Sequence, residues 1–557
     1  MDLELLKTID LEKISTLASS KELNILLVNM LEVLLGSNER LAKELQELKD
    51  EINRLKGQQG KPIFKPNKES ERKNKDTKPR NKNNKQGGKK TKLVIDKAVI
   101  CKVDKATLPP DAHFKGYEEH IQQDIEIKRV NTLYKVELYY SNKENKTYRG
   151  LVPQEGKGLY GGGVKTWLNL LNRVCDTTQG RLKVLFESLG VRISTGTINN
   201  YLLEPEDWVL SEQKEILRAG ISSGSYAQID GTKSVERGLS KVTQIICGSY
   251  FTTFYTKPNK KRLSIIEALL GIVDGASELQ YGYNNHTKKI LEASGVSASD
   301  RQKLESVFGN KECQGIFQWV GNKASFEAYM LEQAPKIMSK KNMSVRVKES
   351  FALAYYYSQD EFPVVDFLLS DDAPEYQKLS LVLQGLCWIH DARFYKKLIP
   401  KLACHRTILS TVMDDYWGFY DLLLAYKKVT KSEQKATKES IKAEFDRIFT
   451  RKTQYFQLNE CLKRTLNNKD KLLAVLENPA LPLHNNAAEL EARRIVRKRD
   501  ISLHTWSLKG TLVRDAFLSV VQTCQKLNVS PFNYIKDRIN GQLALPCLSD
   551  LIYLRNA

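Results

Sequence analysis

Apolar positions recur along residues 27–56 in alternating steps of three and four: Leu27, Leu31, Leu34, Asn38, Leu41, Leu45, Leu48, Ile52 and Leu55. That period fits the seam of a coiled coil, with an amphipathic helix packed on its own domain as the alternative. Placing Leu31, Asn38, Leu45 and Ile52 at a puts Leu34, Leu41, Leu48 and Leu55 at d, after Leu27. Leu at d and a single Asn at a favour a parallel two-stranded coil, because facing asparagines fix the register. Glu44 and Glu51 then meet Lys49 and Lys56 of a second helix. Residues 1–56 are expected to make a homodimer or seed a higher oligomer.

The pattern stops over residues 57–92, where 13 Lys or Arg face 3 acids in a stretch with few apolar side chains. Without apolar burial to offset its ordering entropy, this stretch predicts a disordered linker. It can grip phosphates non-specifically or act as a solubilising tether. Residues 93–150 alternate in places, as in VNTLYKVELYYS, and predict a small strand-rich module. Residues 151–220 read as helical. Within them GRLKVLFESLGVRISTGTINNYLLE has the form helix, turn at Gly190, helix, with Ser194–Thr195 placed to cap the second. That is the form of a helix-turn-helix, although ordinary helical hairpins share it.

From residue 221 the pattern turns to strands: SYAQID, KVTQIICGSY and FTTFYTK predict an antiparallel meander, followed by the helix KRLSIIEALLG. After a mostly helical insertion, 275–360, comes the strand PVVDFLL, ending in Ser370–Asp371–Asp372. A helix, a short strand around Gly385–Trp388 and further helices follow. The insertion, with Trp319 and Lys340–Lys341, suits DNA contact or packing. Three antiparallel strands, a helix, a strand and further α/β units predict an α/β core of the ribonuclease H-like type, with a mixed five-stranded sheet. This core takes 221–274 and 361–515, leaving 516–557 as a C-terminal helical region.

Composition narrows the partner. Lys and Arg outnumber Asp and Glu by 87 to 66, a net charge of +21, which points to a polyanion or an anionic surface. Nine cysteines without any Cys-x-x-Cys argue for a reducing interior rather than a disulfide framework. The start MDLELLKTIDLEK is not a secretory signal, and no apolar run reaches the roughly 20 residues of a membrane span. The expectation is a cytoplasmic protein with no membrane partner.

Within the predicted core, Asp230 ends the first strand, Asp371 ends the fourth, and Glu489 lies in the first turn of a helix opened by Asn485–Asn486. Three clustered carboxylates can hold two divalent cations, and oxygen ligands suit Mg²⁺ or Mn²⁺. Arg493 and Arg497 follow Glu489 on the same face. With Arg494, Lys498 and Arg499 they form a basic stretch for DNA phosphate. Taken singly, Asp230 could be a turn residue, Asp371 a cap and Glu489 half of a surface ion pair. Residue chemistry alone does not choose between Asp371 and Asp372. A zinc reading of Cys387 and His390 with Cys404 and His405 is set aside, because adjacent Cys404 and His405 project to different sides of a helix.

The segment HNNAAELEARRIVRKRDISLHTWSLKGTLVRDAFLSVVQTCQKLNVSPFNYIKDRI resembles the C-terminus of the insertion-sequence 66 family of bacterial DDE transposases. LCWIHDARF (386–394) resembles that family's Cys-Trp-x-His element, SDDAPEY its Ser-Asp-Gly-Tyr, and QIDGTK its first-strand Asp-Glu-Thr-Gly. The resemblance assigns the catalytic, metal-holding triad to Asp230, Asp371 and Glu489. It implies metal-dependent DNA strand cleavage and 3′-hydroxyl strand transfer. Its DNA partners are double-stranded terminal inverted repeats and target DNA, with small accessory proteins as further partners, in a nucleoid-associated bacterial protein. A catalytically inactive, domesticated repressor, or a nuclease without strand transfer, are the alternatives. The family's zinc ribbon has lost its ligands here, since Cys101 alone remains in 93–150, so no zinc is expected.

Overall fold

A computed structural model describes scattered positions between Leu27 and Leu48 and residues 95–556, except 105–108, 110–113, 126, 154–157, 276, 310–315, 378 and 380–382. The chain divides into two units, one holding residues 33–128 and the other residues 129–557 with 3–32. In the smaller unit Leu34, Leu41, Leu45 and Leu48 are helical and exposed. Leu31, Asn38, Ile52, Leu55 and the linker 57–92 lie outside the described residues.

The strand-rich expectation for 93–150 contracts to one hairpin, β1 (Leu138–Ser141) and β2 (Lys146–Arg149); the other described positions from 95 to 150 carry no strand. Leu138, Tyr139 and Tyr140 stay exposed, so the alternation has no apolar layer to rest on. Three helices follow: α1 (Gly162–Arg173), α2 (Gln179–Ser188) and α3 (Thr195–Leu203). They enclose Leu168, Leu182, Phe186, Ile193, Ile198 and Leu202. Gly190 takes φ +79° in the turn, and Ser194 Oγ accepts from Thr197 N at 3.0 Å, capping α3 as its sequence suggests.

Helix α4 (Glu206–Ser223) leads into β3 (Ala227–Glu236), β4 (Leu239–Cys247) and β5 (Thr252–Lys257). Strand β3 is longer than expected. It stays paired with β4 up to Glu236↔Leu239 and turns through Arg237 and Gly238, both at positive φ, the two-residue hairpin that matches strand twist. Asp230 therefore sits inside β3, not at its end. Helix α5 (Arg262–Leu269) follows.

The insertion contains β6 (Gln280–Tyr283), α6 (Asn285–Ala293), α7 (Ala298–Phe308), β7 (Trp319–Asn322), α8 (Lys323–Gln333) and α9 (Lys341–Ser358). Strands β6 and β7 form a small antiparallel pair beside the helices. Trp319 joins Phe308, Phe326, Tyr329 and Phe351 in an aromatic cluster, so this side chain packs, while Lys340 and Lys341 are exposed.

Strands β8 (Phe367–Ser370) and β9 (Leu383–Leu386) complete a mixed five-stranded sheet in the order β5-β4-β3-β8-β9, antiparallel through β3 and parallel beyond it. The last strand ends two residues before the expected place. Trp388 instead begins α10 (Trp388–Lys396), fully buried with its Nε1 donating to Leu472 O at 2.9 Å. Helices α11 (Ala403–Tyr426), α12 (Lys431–Phe449) and α13 (Phe456–Asn467) build a second core around Trp388, Tyr416 and Phe445. Then come α14 (Asn486–Ser502), α15 (Leu508–Lys526), α16 (Pro531–Ile539) and α17 (Leu548–Asn556).

Helices cover both faces of the sheet. Ile229, Ile246 and Tyr255 join the large core, while Ile245 and Phe254 pack against Ala492, Ile495 and Leu518. Residue 515, the expected end of the core, falls within α15, which is one continuous buried helix. Its polar side chains close the outer edge of β5: Asp515 Oδ2, Ser519 Oγ and Thr523 Oγ1 accept from the backbone N–H of Thr256, Phe254 and Thr252 at 2.8, 3.0 and 3.2 Å. Four helical residues rise about 6 Å and two strand residues about 6.8 Å, so a ladder every fourth residue matches every second edge N–H.

Candidate active site

Asp230 and Ile245 are cross-strand partners, so their side chains share one face of the sheet. That face is the one α14 covers, since Ile245 packs with Ala492 and Ile495. Asp371 follows the last residue of parallel β8, next to β3. Glu489 reaches the same place from the first turn of α14. Asn485 ties down the start of that helix: its Nδ2 donates to Ile229 O at 2.9 Å and its N–H to Cys387 Sγ at 3.3 Å. Cys387 N in turn donates to Ser370 O at 3.1 Å. One hydrogen-bonded chain thus fixes β3, β8, the start of α10 and the start of α14 together.

Asp230 feels both of the other carboxylates. Burial pushes its carboxyl up to about 6; the Gly231 N–H and the Arg393 charge oppose, and the Asp371 and Glu489 charges add to the rise. Asp371 is also raised, by burial first, with the Ala373 N–H and His390 opposing. Among the described residues, neither aspartate has an ion-pair partner. Asp230 Oδ1 accepts from Gly231 N at 2.8 Å and Asp371 Oδ1 from Ala373 N at 3.1 Å. A Cβ at Gly231 would lie 3.0 Å from the Tyr376 hydroxyl and 3.2 Å from Gln244 Oε1, so the residue after Asp230 has little room to grow.

The neighbouring acid has a different setting. Asp372 pairs with Arg464, and accepts from Gln377 Nε2 at 3.0 Å and Asn468 Nδ2 at 3.3 Å. Asp372 thus has side-chain partners that Asp371 lacks, although its charge still adds to the rise of Asp371. Arg464 also stacks on Phe394.

Three further residues lie at the site: Cys387 and His390, which the sequence suggests only for the zinc reading set aside above, and Arg393, which it does not single out. Arg393 Nη2 donates to Glu489 Oε2 at 3.1 Å, and His390 Nδ1 stands 3.5 Å from Glu489 Oε1. Cys387, His390 and Glu489 place a sulfur, a nitrogen and an oxygen within 4.8 Å of one another. The signal was there in LCWIHDARF, with Cys387 capping α10 and His390 and Arg393 three apart on one helical face. Cys404 and His405 do not join this group: Cys404 is exposed, and His405 is buried in a stack on Tyr455.

The basic stretch divides. Arg493 and Arg497 are exposed, Arg494 pairs with Glu491 at 2.9 Å, and Arg499 Nη1 donates to Lys233 O at 2.7 Å. Lys498 is turned inward, contrary to its expected place at DNA. Its Nζ donates to Asn172 O at 2.7 Å and faces Asp176 at 3.3 Å, and burial brings it down to about 8. Helix α14 presents Ile495 to the sheet, and Lys498, one turn on, follows it inward. Beside it, Arg173, Lys498, Arg499, Arg514 and Trp506 line a cleft of about 620 Å³ between α1, α3, the end of β3 and the end of α14.

Residues 358–512 match the family described as Transposase IS66 family, a segment holding Asp371 and Glu489 but not Asp230. A protein of Sinorhizobium fredii, named only as uncharacterized protein y4jO, is 29% identical over 333 residues, 59% of this chain and 97% of that protein. No solved structure matches the chain. Among the described residues no helix is long and apolar enough to cross a membrane.

Proposed function

Because the chain belongs to the IS66 transposase family through residues 358–512, we propose that it cleaves DNA strands at the ends of an insertion sequence. We further propose that it joins the freed 3′-hydroxyl to target DNA, with Asp230, Asp371 and Glu489 as catalytic residues. The observation supporting this reading is the placement of Asp230, Asp371 and Glu489 on β3, the end of β8 and the start of α14, with the Asp371 and Glu489 charges felt at Asp230 and, among the described residues, neither half-buried aspartate in an ion pair. The mixed five-stranded sheet, antiparallel through β3 and parallel beyond it, supports a ribonuclease H-like reading of this core.

The donor set fits a hard divalent cation, because carboxylate oxygens suit such an ion and Asp230, raised by the Asp371 and Glu489 charges, is stabilised by positive charge beside it. Mg²⁺ or Mn²⁺ held by the triad supplies Lewis-acid activation of the attacking oxygen and stabilisation of the leaving one. The protein's part is placement. Strand β3 and helix α14 hold Asp230 and Glu489 on packed elements, and Asn485 locks one to the other. Arg393 holds Glu489 in position. Arg493 and Arg497 project from the helix carrying Glu489 and meet the phosphates of double-stranded DNA, with the exposed start of α3 as a second contact. The exposed leucines Leu27, Leu34, Leu41, Leu45 and Leu48 pair two copies, so that two DNA ends are held together.

The test is a supercoiled plasmid carrying the element's ends, incubated with Mg²⁺ or Mn²⁺. Nicking followed by joined products is expected from the native chain, and neither from Asp230→Asn, Asp371→Asn or Glu489→Gln. Cleavage surviving all three substitutions would overturn the assignment. Binding to the ends without metal-dependent cleavage would identify a repressor instead.

A further inference from the structure

The triad accounts for Glu489 but not for the sulfur and nitrogen beside it. Cys387 is 1% exposed and lies at the N-cap of α10; His390 lies in the first turn of that helix. Their ligand atoms and a Glu489 oxygen are mutually within 4.8 Å, and the His390 Nδ1 to Glu489 Oε1 separation is 3.5 Å. Two ligands of a tetrahedral zinc-type ion stand about 3.3–3.7 Å apart, given bonds of about 2.0–2.3 Å. The His–Glu pair is thus at ligand spacing already, and the thiol lies within 4.8 Å of both.

Polar satisfaction points the same way. His390 Nδ1 is buried and makes no hydrogen bond, although it faces the glutamate. Buried nitrogens are seldom left in that state without a role. The Cys387 sulfur is oriented from behind by the Asn485 N–H at 3.3 Å, the kind of outer contact that holds a thiolate ligand in place. The opposing group is Arg393, whose guanidinium pairs with Glu489 at 3.1 Å and whose side chain is 46% exposed, so a metal has to displace it toward solvent.

We propose that Cys387, His390 and Glu489 form a second metal site, selective for a zinc-class cation and sharing Glu489 with the carboxylate triad. Sulfur and imidazole nitrogen favour Zn²⁺ or Co²⁺ over Mg²⁺, so donor type separates the two sites. On binding, the metal–sulfur bond replaces the S–H bond and the thiol proton passes to solvent. Glu489 is then withdrawn from the triad, and zinc-class ions inhibit a Mg²⁺-dependent reaction by occupying this alternative site. The inhibition rests on the proposed transposase chemistry; the metal site does not.

Co²⁺ titration of the full chain tests it. One equivalent is expected to give an intense near-ultraviolet thiolate-to-metal band, which Co²⁺ on carboxylates alone does not produce. The band should vanish in Cys387→Ser, and His390→Asn should weaken Co²⁺ binding by about tenfold or more. No band in the native chain, or an undiminished band in Cys387→Ser, overturns the proposal. Should the serine variant fail to fold, His390→Asn carries the same test, and unchanged affinity there is equally fatal. In the plasmid assay, Cys387→Ser should raise the Zn²⁺ concentration for half-inhibition about tenfold or more. A chain that cleaves nothing but shows the band loses the transposase reading and keeps the metal site.

Discussion

Two regions of the sheet bury charge in opposite ways. At the outer edge of β5, Asp515 accepts from Thr256 N at 2.8 Å and pairs with Arg514 at 2.7 Å, and Arg514 Nη2 also donates to Thr256 Oγ1 at 2.8 Å. Elsewhere on the same sheet, half-buried Asp230 and Asp371 each take one backbone N–H, and the Asp371 charge adds to the rise of Asp230. Buried charge that finds its partners inside the protein holds structure. Buried charge left short of partners costs stability, and a protein keeps it where something else is to be bound.

The largest effect expected from this contrast is on activity. Asp230→Asn, Asp371→Asn and Glu489→Gln should each lower plasmid cleavage by on the order of 10³-fold or more, with circular dichroism unchanged. Asp515→Ala should do the reverse, breaking a buried pair and costing roughly 3–5 kcal/mol in urea unfolding. If the two kinds of variant exchanged phenotypes, the contrast would fail.

The unpartnered aspartate gives a finer test. Asp230 has a folded value near 6, above its unfolded 3.8, so the folded state binds the extra proton between those values. In chelator, the native chain should therefore lose stability as pH rises from about 4 to about 6. Asp230→Asn, which carries no charge, should be more stable than the native chain at pH 7 by roughly 1–3 kcal/mol. The gap should close below pH 4, measured by thermal unfolding in both conditions. A variant less stable at pH 7 would show that the site is not short of positive charge.

The smallest expected effect separates neighbours. Asp372→Asn loses the pairing with Arg464 and acts on the triad only through its charge beside Asp371, so cleavage should stay within about tenfold while stability falls by about 1 kcal/mol. Equal losses of cleavage for Asp371→Asn and Asp372→Asn would remove the distinction the structure draws between them.

Much of this was legible in local pattern. The meander, the existence of the fourth strand, the cap at Ser194 and the position of Glu489 in the first turn of α14 follow from period, turn chemistry and capping, which act over a few residues. The strand-rich expectation for 93–150 failed because alternation predicts a strand only where another layer covers it. Lys498 was misplaced because a basic run says nothing about which face of the helix meets the sheet.

The sequence by itself determined the elements, the three acids and their order along the chain. Only tertiary structure decided that Asp372 is absorbed by Arg464, Asn468 and Gln377 while Asp371 is not. It alone brought Cys387 and His390 against Glu489, which lies 102 residues beyond Cys387 in the chain. The physical reason is range. Periodicity and capping are written in neighbouring residues, whereas the partner that satisfies or strands a buried charge arrives from a distant segment.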